Sequence, residues 1–444
     1  MKSDVFGITW PAIKVNEAAM LSALIGELRN TQWMRPGEIG SLQHRQLTEL
    51  MSHHVANTPS FASRLEQAGL PTDTALDWDG FRRISPLTRS RWQDLGQGMF
   101  SSKIPQSHGK PNKLMTSGST GEPVVTYKTM INGLFWAAHS IMDHEWHHRD
   151  LSLRMVSIRA DIHKEMESPN WGYPMALLDE TGPARGLPIT TDIARQESIM
   201  LEFKPGFMIT YPNNLSALLD IWESQGYSHQ LAHIKTVGET VTDQLRQRTR
   251  AVTGLEIEDG YSSNELGTIA LHCGHAYHTM DDSLIVEVLD EDGNECQPGE
   301  IGQVVLTDLH NFATPVIRYE IGDYAERGMT CACGRGYGTL NRILGRQRNL
   351  IRNPDGTTHW PLTGFYGFRD VADIKQYQMI QHDHRDIEVK LFVGHELSSQ
   401  QEDSIANMVR SALKHEFDVR LTISREPLPR GKNGKFEEFI CRML

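Results

Sequence analysis

Over 444 residues, 56 acidic side chains against 44 basic ones leave a net charge of −12, which argues against a broad nucleic-acid-binding face but leaves room for a small basic mouth around an anionic cofactor. No apolar run approaches the ~20 residues needed to span a bilayer. The first residues, Met-Lys-Ser-Asp-Val-Phe-Gly-Ile-Thr-Trp-Pro, show neither the apolar core nor the cleavage pattern of a signal peptide, so a cytoplasmic protein with no membrane partner is expected.

In chain order, helix-type spacing runs through 16–70, carried by Leu21, Leu24, Ile25 and Leu28 and then by Leu47, Leu50, Met51 and Val55. Residues 116–124 read Thr-Ser-Gly-Ser-Thr-Gly-Glu-Pro-Val. Gly118 and Gly121 permit backbone conformations that turn several N–H groups toward one anion, and Thr116, Ser117, Ser119 and Thr120 add hydroxyl donors, so this loop can follow a polyphosphate. It lacks the Gly-Lys-Ser/Thr ending of a P-loop. Val124–Tyr127 reads as a strand, and Trp136, Ala137, Ala138, Ile141 and Met142 read as a helix. Further β-rich runs at 154–158, 207–211 and 233–237 alternate with helical ones, the last before a helix starting near Thr242. That alternation predicts an α/β fold with a largely parallel sheet.

The pattern changes at 284–307, where two strand-like runs flank a turn ending at Gly293 and predict an antiparallel hairpin. Turn chemistry at Asn353-Pro354-Asp355-Gly356 marks a linker. Beyond it a small α+β unit is expected, with strands at 387–393 and 419–424 and a helix at 402–417 between them.

Four further segments follow the 116–121 loop in order. Tyr261-Ser262-Ser263-Asn264-Glu265-Leu266-Gly267 combines an aromatic, small polar residues and a carboxylate. Arg318-Tyr319-Glu320-Ile321-Gly322-Asp323 ends in an aspartate beside a turn glycine. Gly345-Arg346 opens the linker, and Gly434-Lys435 stands near the end. In this order they resemble the adenylate-forming superfamily of acyl-CoA synthetases, adenylation domains and luciferases. The stretch from about 40 to 444 is similar to its phenylacetate–CoA ligase-like branch, through Ile209-Thr-Tyr-Pro-Asn-Asn-Leu215, Val237-Gly-Glu-Thr240 and Leu428-Pro-Arg-Gly-Lys-Asn-Gly-Lys-Phe436.

The resemblance implies a large ATP- and acyl-binding domain at 1–345 and a mobile α+β lid at 346–444. It implies that residues 116–121 hold the β- and γ-phosphates of ATP, that Gly238, Glu239 and Thr240 line one side of the adenine, and that Tyr261, followed by Ser262, stacks on the other. Glu265 matches the Mg²⁺ carboxylate, Asp323 the acceptor of both ribose hydroxyls, and Arg346 a nucleotide contact at the hinge. Lys435 would stabilise charge as the carboxylate attacks and pyrophosphate leaves, with Lys432 as its rival. The acyl pocket would involve Trp136, Ala137, Ser140, Tyr211 and Pro212, whose two aromatics and absent cation favour an aryl or arylacetic acid. The acceptor would be coenzyme A, with a carrier-protein thiol or an amine as alternatives. Oligomeric state, a homodimer included, is not specified. The chain departs from the pattern at Glu122, at Asn264 in place of threonine, and at Gln347-Arg348-Asn349 in place of an acidic hinge.

Cys273-x4-His278 and Cys331-x-Cys333 supply three thiols and an imidazole, a set suited to closed, structural zinc. His275 is the alternative imidazole, and three buried free cysteines are the reading that competes with a metal. His144-Glu-Trp-His-His148 matches the HExxH string of zinc proteases. In a chain with 20 histidines that string arises by chance, and no third ligand pattern accompanies it. A non-catalytic protein of the same fold is disfavoured because Glu265, Asp323 and Lys435 are all present.

Overall fold

The computed structural model describes residues 15–72, 75–115, 124–346, 351–355, 358–359, 368, 371–413, 415, 417–430 and 436–443. The chain divides into two compact units, each assembled from separated segments: 1–153, 167–184 and 258–343 form one, and 154–166, 185–257 and 344–444 the other.

In the first unit the helical periodicity of the N-terminal region resolves into helices Asn16–Thr31, Pro36–Asn57 and Pro59–Gln67. Proline opens the second and third, where its missing N–H costs nothing and its fixed φ suits the first turn. Leu21, Ile25 and Leu28 face inward on the first. Strands Asn112–Met115 and Val125–Lys128 pair antiparallel, so they flank the hydroxyl-rich segment. Helix Met130–Trp146 follows, opened by a reciprocal cap in which the Thr129 N–H donates to the Asn132 side-chain oxygen at 3.0 Å.

Leu284–Leu289, Ile301–Asp308 and Tyr319–Arg327 form an antiparallel meander, matching the hairpin read from the sequence. The sheet continues through Thr339–Arg346, Tyr277–Thr279, Gly267–His272 and Ile257–Ser263. Trp92, Ile269, Val304, Leu306, Val316 and Tyr319 form part of its core. Arg318 is held in the left-handed region at φ 47° by a buried fork: Nε and Nη2 each donate to Glu287 at 3.0 Å, and Nη1 donates to the Ile84 carbonyl at 2.7 Å. The arginine of the Arg-Tyr-Glu-Ile-Gly-Asp segment therefore works structurally, setting the start of the strand that carries Asp323.

The second unit holds the parallel pairing, Met155–Arg159 with Phe207–Thr210 and the latter with His233–Thr236. Helices Ile193–Phe203, Pro212–Gln225 and Asp243–Thr253 accompany these strands. Their core includes Val156, Met208, Leu215, Leu219, Trp222 and Ile234. A further four-stranded sheet runs in the order Asp418–Ser424, Asp386–Val393, Ile374–Gln381, Phe439–Cys441, with helix Ser399–Leu413 between its parallel strands. This is the α+β unit expected after the linker. Among the described residues no helix is long and apolar enough to cross a membrane.

Candidate active site and a Cys–His cluster

Tyr261 is buried in strand Ile257–Ser263, and its hydroxyl donates to Asp323 Oδ2 at 2.7 Å. Gly322, at φ 84°, lies where the pairing of Tyr319–Arg327 with Ile301–Asp308 shifts register, just before that aspartate. Ser262 alternates outward beside Tyr261 and is exposed. Two residues past the same strand, Glu265 is buried, with Arg89 Nη1 at 3.7 Å from Oε1.

Lys128 was not anticipated from sequence. Burial lowers its pKa, while the nearby Asp308 and Glu265 carboxylates pull it back up. It closes strand Val125–Lys128, and only its emergence from the hydroxyl-rich segment hinted at it.

On helix Met130–Trp146, Trp136 is exposed and stacks at 6.0 Å, with an 11° interplanar angle, on Tyr173. Ser140 donates to the Trp136 carbonyl at 2.9 Å, and Ala137 is fully enclosed. One turn on, His139 lies 2.8 Å from Asp282, whose other oxygen accepts from Tyr337 at 2.5 Å. A cleft of about 550 Å³ opens beside Asp282 in the same unit, lined among others by Leu28, His44, Arg45, Phe135 and His310.

In the second unit, Tyr211 packs into the core and its hydroxyl accepts the Ala160 N–H at 3.2 Å, while Pro212 is the first residue of helix Pro212–Gln225. Gly238 turns at φ 79°, and Gly238 and Thr240 are exposed. The Glu239 side chain between them is buried and takes hydrogen bonds from Asn213 N at 3.1 Å, Asn213 Nδ2 at 3.3 Å and Phe436 N at 2.9 Å. Burial pushes its pKa up, and those N–H groups and Arg430 oppose the shift. Residues Thr116, Ser117, Gly118, Ser119, Thr120 and Gly121, together with Lys432 and Lys435, lie outside the described residues, as does the side chain of Arg346, whose backbone ends strand Thr339–Arg346.

Cys273, His278, Cys331 and Cys333 converge, with their ligand atoms all within 4.8 Å of one another. Cys273 sits in the turn between Gly267–His272 and Tyr277–Thr279, and the other two thiols lie between Tyr319–Arg327 and Thr339–Arg346. The Cys273–Cys331 sulfur separation is 3.6 Å, and His278 Nε2 stands 3.1 Å from Cys333. Tetrahedral bonds of ~2.3 Å place two sulfurs about 3.8 Å apart, so the donor set fits zinc. Burial drops the His278 pKa to about 4, favouring the neutral imidazole that a metal takes. His275 is exposed and outside the group.

The cluster's second loop is tied to the N-terminal helices. Gly336 N donates to the Gln32 carbonyl at 2.8 Å, and Arg335 lies between the rings of Trp33 and Trp146, 5.0 and 4.1 Å from their centroids.

The HExxH reading fails on geometry. The helix ends at Trp146 and His148 has φ 50°, so the two histidines do not share a helical turn. Glu145 instead pairs with Arg29.

The fold is that of the adenylate-forming ligases. A 2-hydroxyisobutyryl-CoA ligase in its post-adenylation state superposes with a TM-score of 0.73 at 15% identity, covering 94% of this chain and 92% of that one. The sequence relatives are phenylacetate–coenzyme A ligases, so the branch resemblance holds. That of Thermus thermophilus is 24% identical over 342 residues, 71% of this chain and 72% of its own. That of Pseudomonas putida is 23% identical over 341 residues, 72% of this chain and 73% of its own. No family model matches the chain.

Proposed function

We propose that this chain is an AMP-forming acid–thiol ligase, activating an aryl or arylacetic acid with ATP and passing the acyl group to coenzyme A. The observation that carries it is the 2.7 Å hydrogen bond from Tyr261 to Asp323, which brings together the expected adenine-stacking and ribose-binding residues, 62 positions apart, within one unit. In the first half-reaction a carboxylate oxygen of the acid attacks the α-phosphorus of ATP and the bond to pyrophosphate breaks. Residues 116–121 would hold the departing phosphates, Gly238, Glu239 and Thr240 the adenine edge, Asp323 the ribose and Arg346 the hinge-side contact. Lys435 would bring one cation to oxygens that gain charge. Glu265 is the carboxylate that would hold Mg²⁺, which neutralises phosphate charge when bound. In the second half-reaction the thiol sulfur attacks the acyl carbon, AMP departs and the thiol proton passes to solvent.

The division into a 1–345 body and a 346–444 lid that moves between these steps belongs to the same proposal. So does a structural zinc held by Cys273, His278, Cys331 and Cys333, whose four protein donors leave no open coordination position. Acid-dependent exchange of labelled pyrophosphate into ATP tests the reading, each acid being assayed with and without coenzyme A. Exchange with an arylacetic acid and thioester formation with coenzyme A are expected. Absence of exchange with every acid overturns it.

A further inference from the structure

Helix Met130–Trp146 carries Asn132, Phe135, Trp136 and His139 at i, i+3, i+4 and i+7, so all four stand on one face. Together with Leu266, the residue after Glu265, and with Asp308 and His310, they line a cavity of about 10 Å³. Trp136 packs near the same backbone, since a Cβ built on Gly267 would lie 3.8 Å from its Cδ1. The cavity therefore adjoins both the aromatic expected at the acyl pocket and the carboxylate expected to hold Mg²⁺.

Most of the polar lining is already engaged. Asn132 Oδ1 accepts the Thr129 N–H at 3.0 Å, and its Nδ2 donates to Asp308 Oδ2 at 3.2 Å. Asp308 Oδ1 takes the His310 N–H at 3.0 Å, and His139 Nε2 lies 2.8 Å from Asp282. The His310 ring stacks on Phe135, with centroids 4.0 Å apart and planes inclined by 20°. Its Nδ1 is buried with no partner among the described residues. A ring nitrogen left unpaired away from water is destabilising, and folded chains keep such groups where something else completes them. Burial drops the His310 pKa to about 4, so the ring is neutral, and Nδ1 accepts or donates according to its tautomer.

A space of this size takes one water-sized group. On an aryl acid lying against Trp136, that group is a single ring substituent. We propose that this cavity reads the ring of the acid, and that the substrate is an aryl or arylacetic acid carrying a hydroxyl or amino group hydrogen-bonded to His310 Nδ1. This rests on the ligase reading and deepens it: Trp136 supplies the contact common to all aryl acids, and His310 selects among them. A trapped water is the competing occupant and would give no such selection.

Acid-dependent pyrophosphate exchange in the full-length protein, run on matched ring series, tests the proposal. Benzoate and phenylacetate are compared with their hydroxy, amino and methyl derivatives at each ring position. Methyl matches hydroxyl in size and lacks its hydrogen bond. At the position that reaches the cavity, hydroxyl or amino should exceed methyl by about tenfold or more in kcat/KM, the scale of one buried hydrogen bond. His310→Phe keeps a ring to stack on Phe135 but removes Nδ1, and should bring that ratio close to unity. His310→Asn, which retains a side-chain nitrogen near the same place, should restore part of it. Because the readout is a ratio within one protein, a variant that folds poorly lowers both rates together and leaves the ratio readable. Methyl acids used as well as hydroxy and amino acids at every position, or a preference that His310→Phe leaves intact, overturn the proposal while adenylation stands. Absence of exchange with every acid defeats the ligase reading itself, and this proposal with it.

Discussion

Lys435 and Asp281 show how differently single charges are used in this chain. If Lys435 delivers the cation to the reacting oxygens, Lys435→Ala should lower pyrophosphate exchange by about 10²–10³-fold, the cost of removing one preorganised donor. Thioester formation from supplied acyl-adenylate should fall far less. If Lys432→Ala shows the larger loss, the roles are reversed. Asp281 is partly buried, and its pKa is raised to about 6, by burial first of all, against the Gly338 N–H and the Thr279 hydroxyl. The raised folded value means that the folded state favours the proton. Stability from this group is complete below about pH 4 and is lost as pH rises through about 6. Asp281→Asn keeps an acceptor for Gly338 and offers Thr279 an amide donor. It should therefore stabilise the protein at pH 7 by on the order of 2–3 kcal/mol and have little effect near pH 4. Denaturant melts at the two pH values check the difference, and equal effects contradict it.

At the scale of elements, the loop bearing Cys331 and Cys333 is the segment whose fate should follow the metal. A Cβ built on Gly336 would lie 1.7 Å from the Met34 carbonyl oxygen, closer than any relaxation of the loop alone accommodates. Gly336→Ala should lower stability by more than ~2 kcal/mol and loosen the Arg335 guanidinium from the rings of Trp33 and Trp146. Elemental analysis should find about one zinc per chain, lost in Cys331→Ser or Cys333→Ser. Melting temperature should drop in those variants before adenylation does, because the cluster is a staple and not a reaction centre. Active, metal-free wild-type protein with an unchanged melting temperature contradicts this.

For the molecule as a whole, substrate choice is the property a population of acids will decide. Trp136 and Tyr211 were the two aromatics expected at the acyl pocket, and the structure gives them different surroundings. Tyr211 is engaged in the core of its unit, whereas Trp136 is exposed and stacks on Tyr173. Exchange rates compared across phenylacetate, benzoate, an indole acid, a medium-chain fatty acid and succinate should favour the ring-bearing acids. A preference for the fatty acid or succinate defeats the aromatic reading and leaves adenylation intact. Trp136→Ala should then raise KM for the best aryl acid by about tenfold, the scale of one aromatic contact.

Sequence alone determined the features that are local or ordered along the chain. Helical spacing in 16–70, strand–helix alternation after 150, the hairpin around Gly293 and the α+β unit after the linker were all legible, because period and turn chemistry act over a few residues. The order of short segments was enough to point to the ligase superfamily, and the Cys-His and Cys-x-Cys spacings to a four-donor cluster. What only the tertiary structure decided depends on residues distant in sequence. Arg318 is a buried structural fork because Glu287 and the Ile84 carbonyl lie against it. The HExxH string is broken because its helix ends at Trp146. Glu239 meets Phe436 across 197 positions, and Tyr261 meets Asp323 across 62. No periodicity carries such pairings, since they arise from how strands and helices pack once burial has fixed their faces.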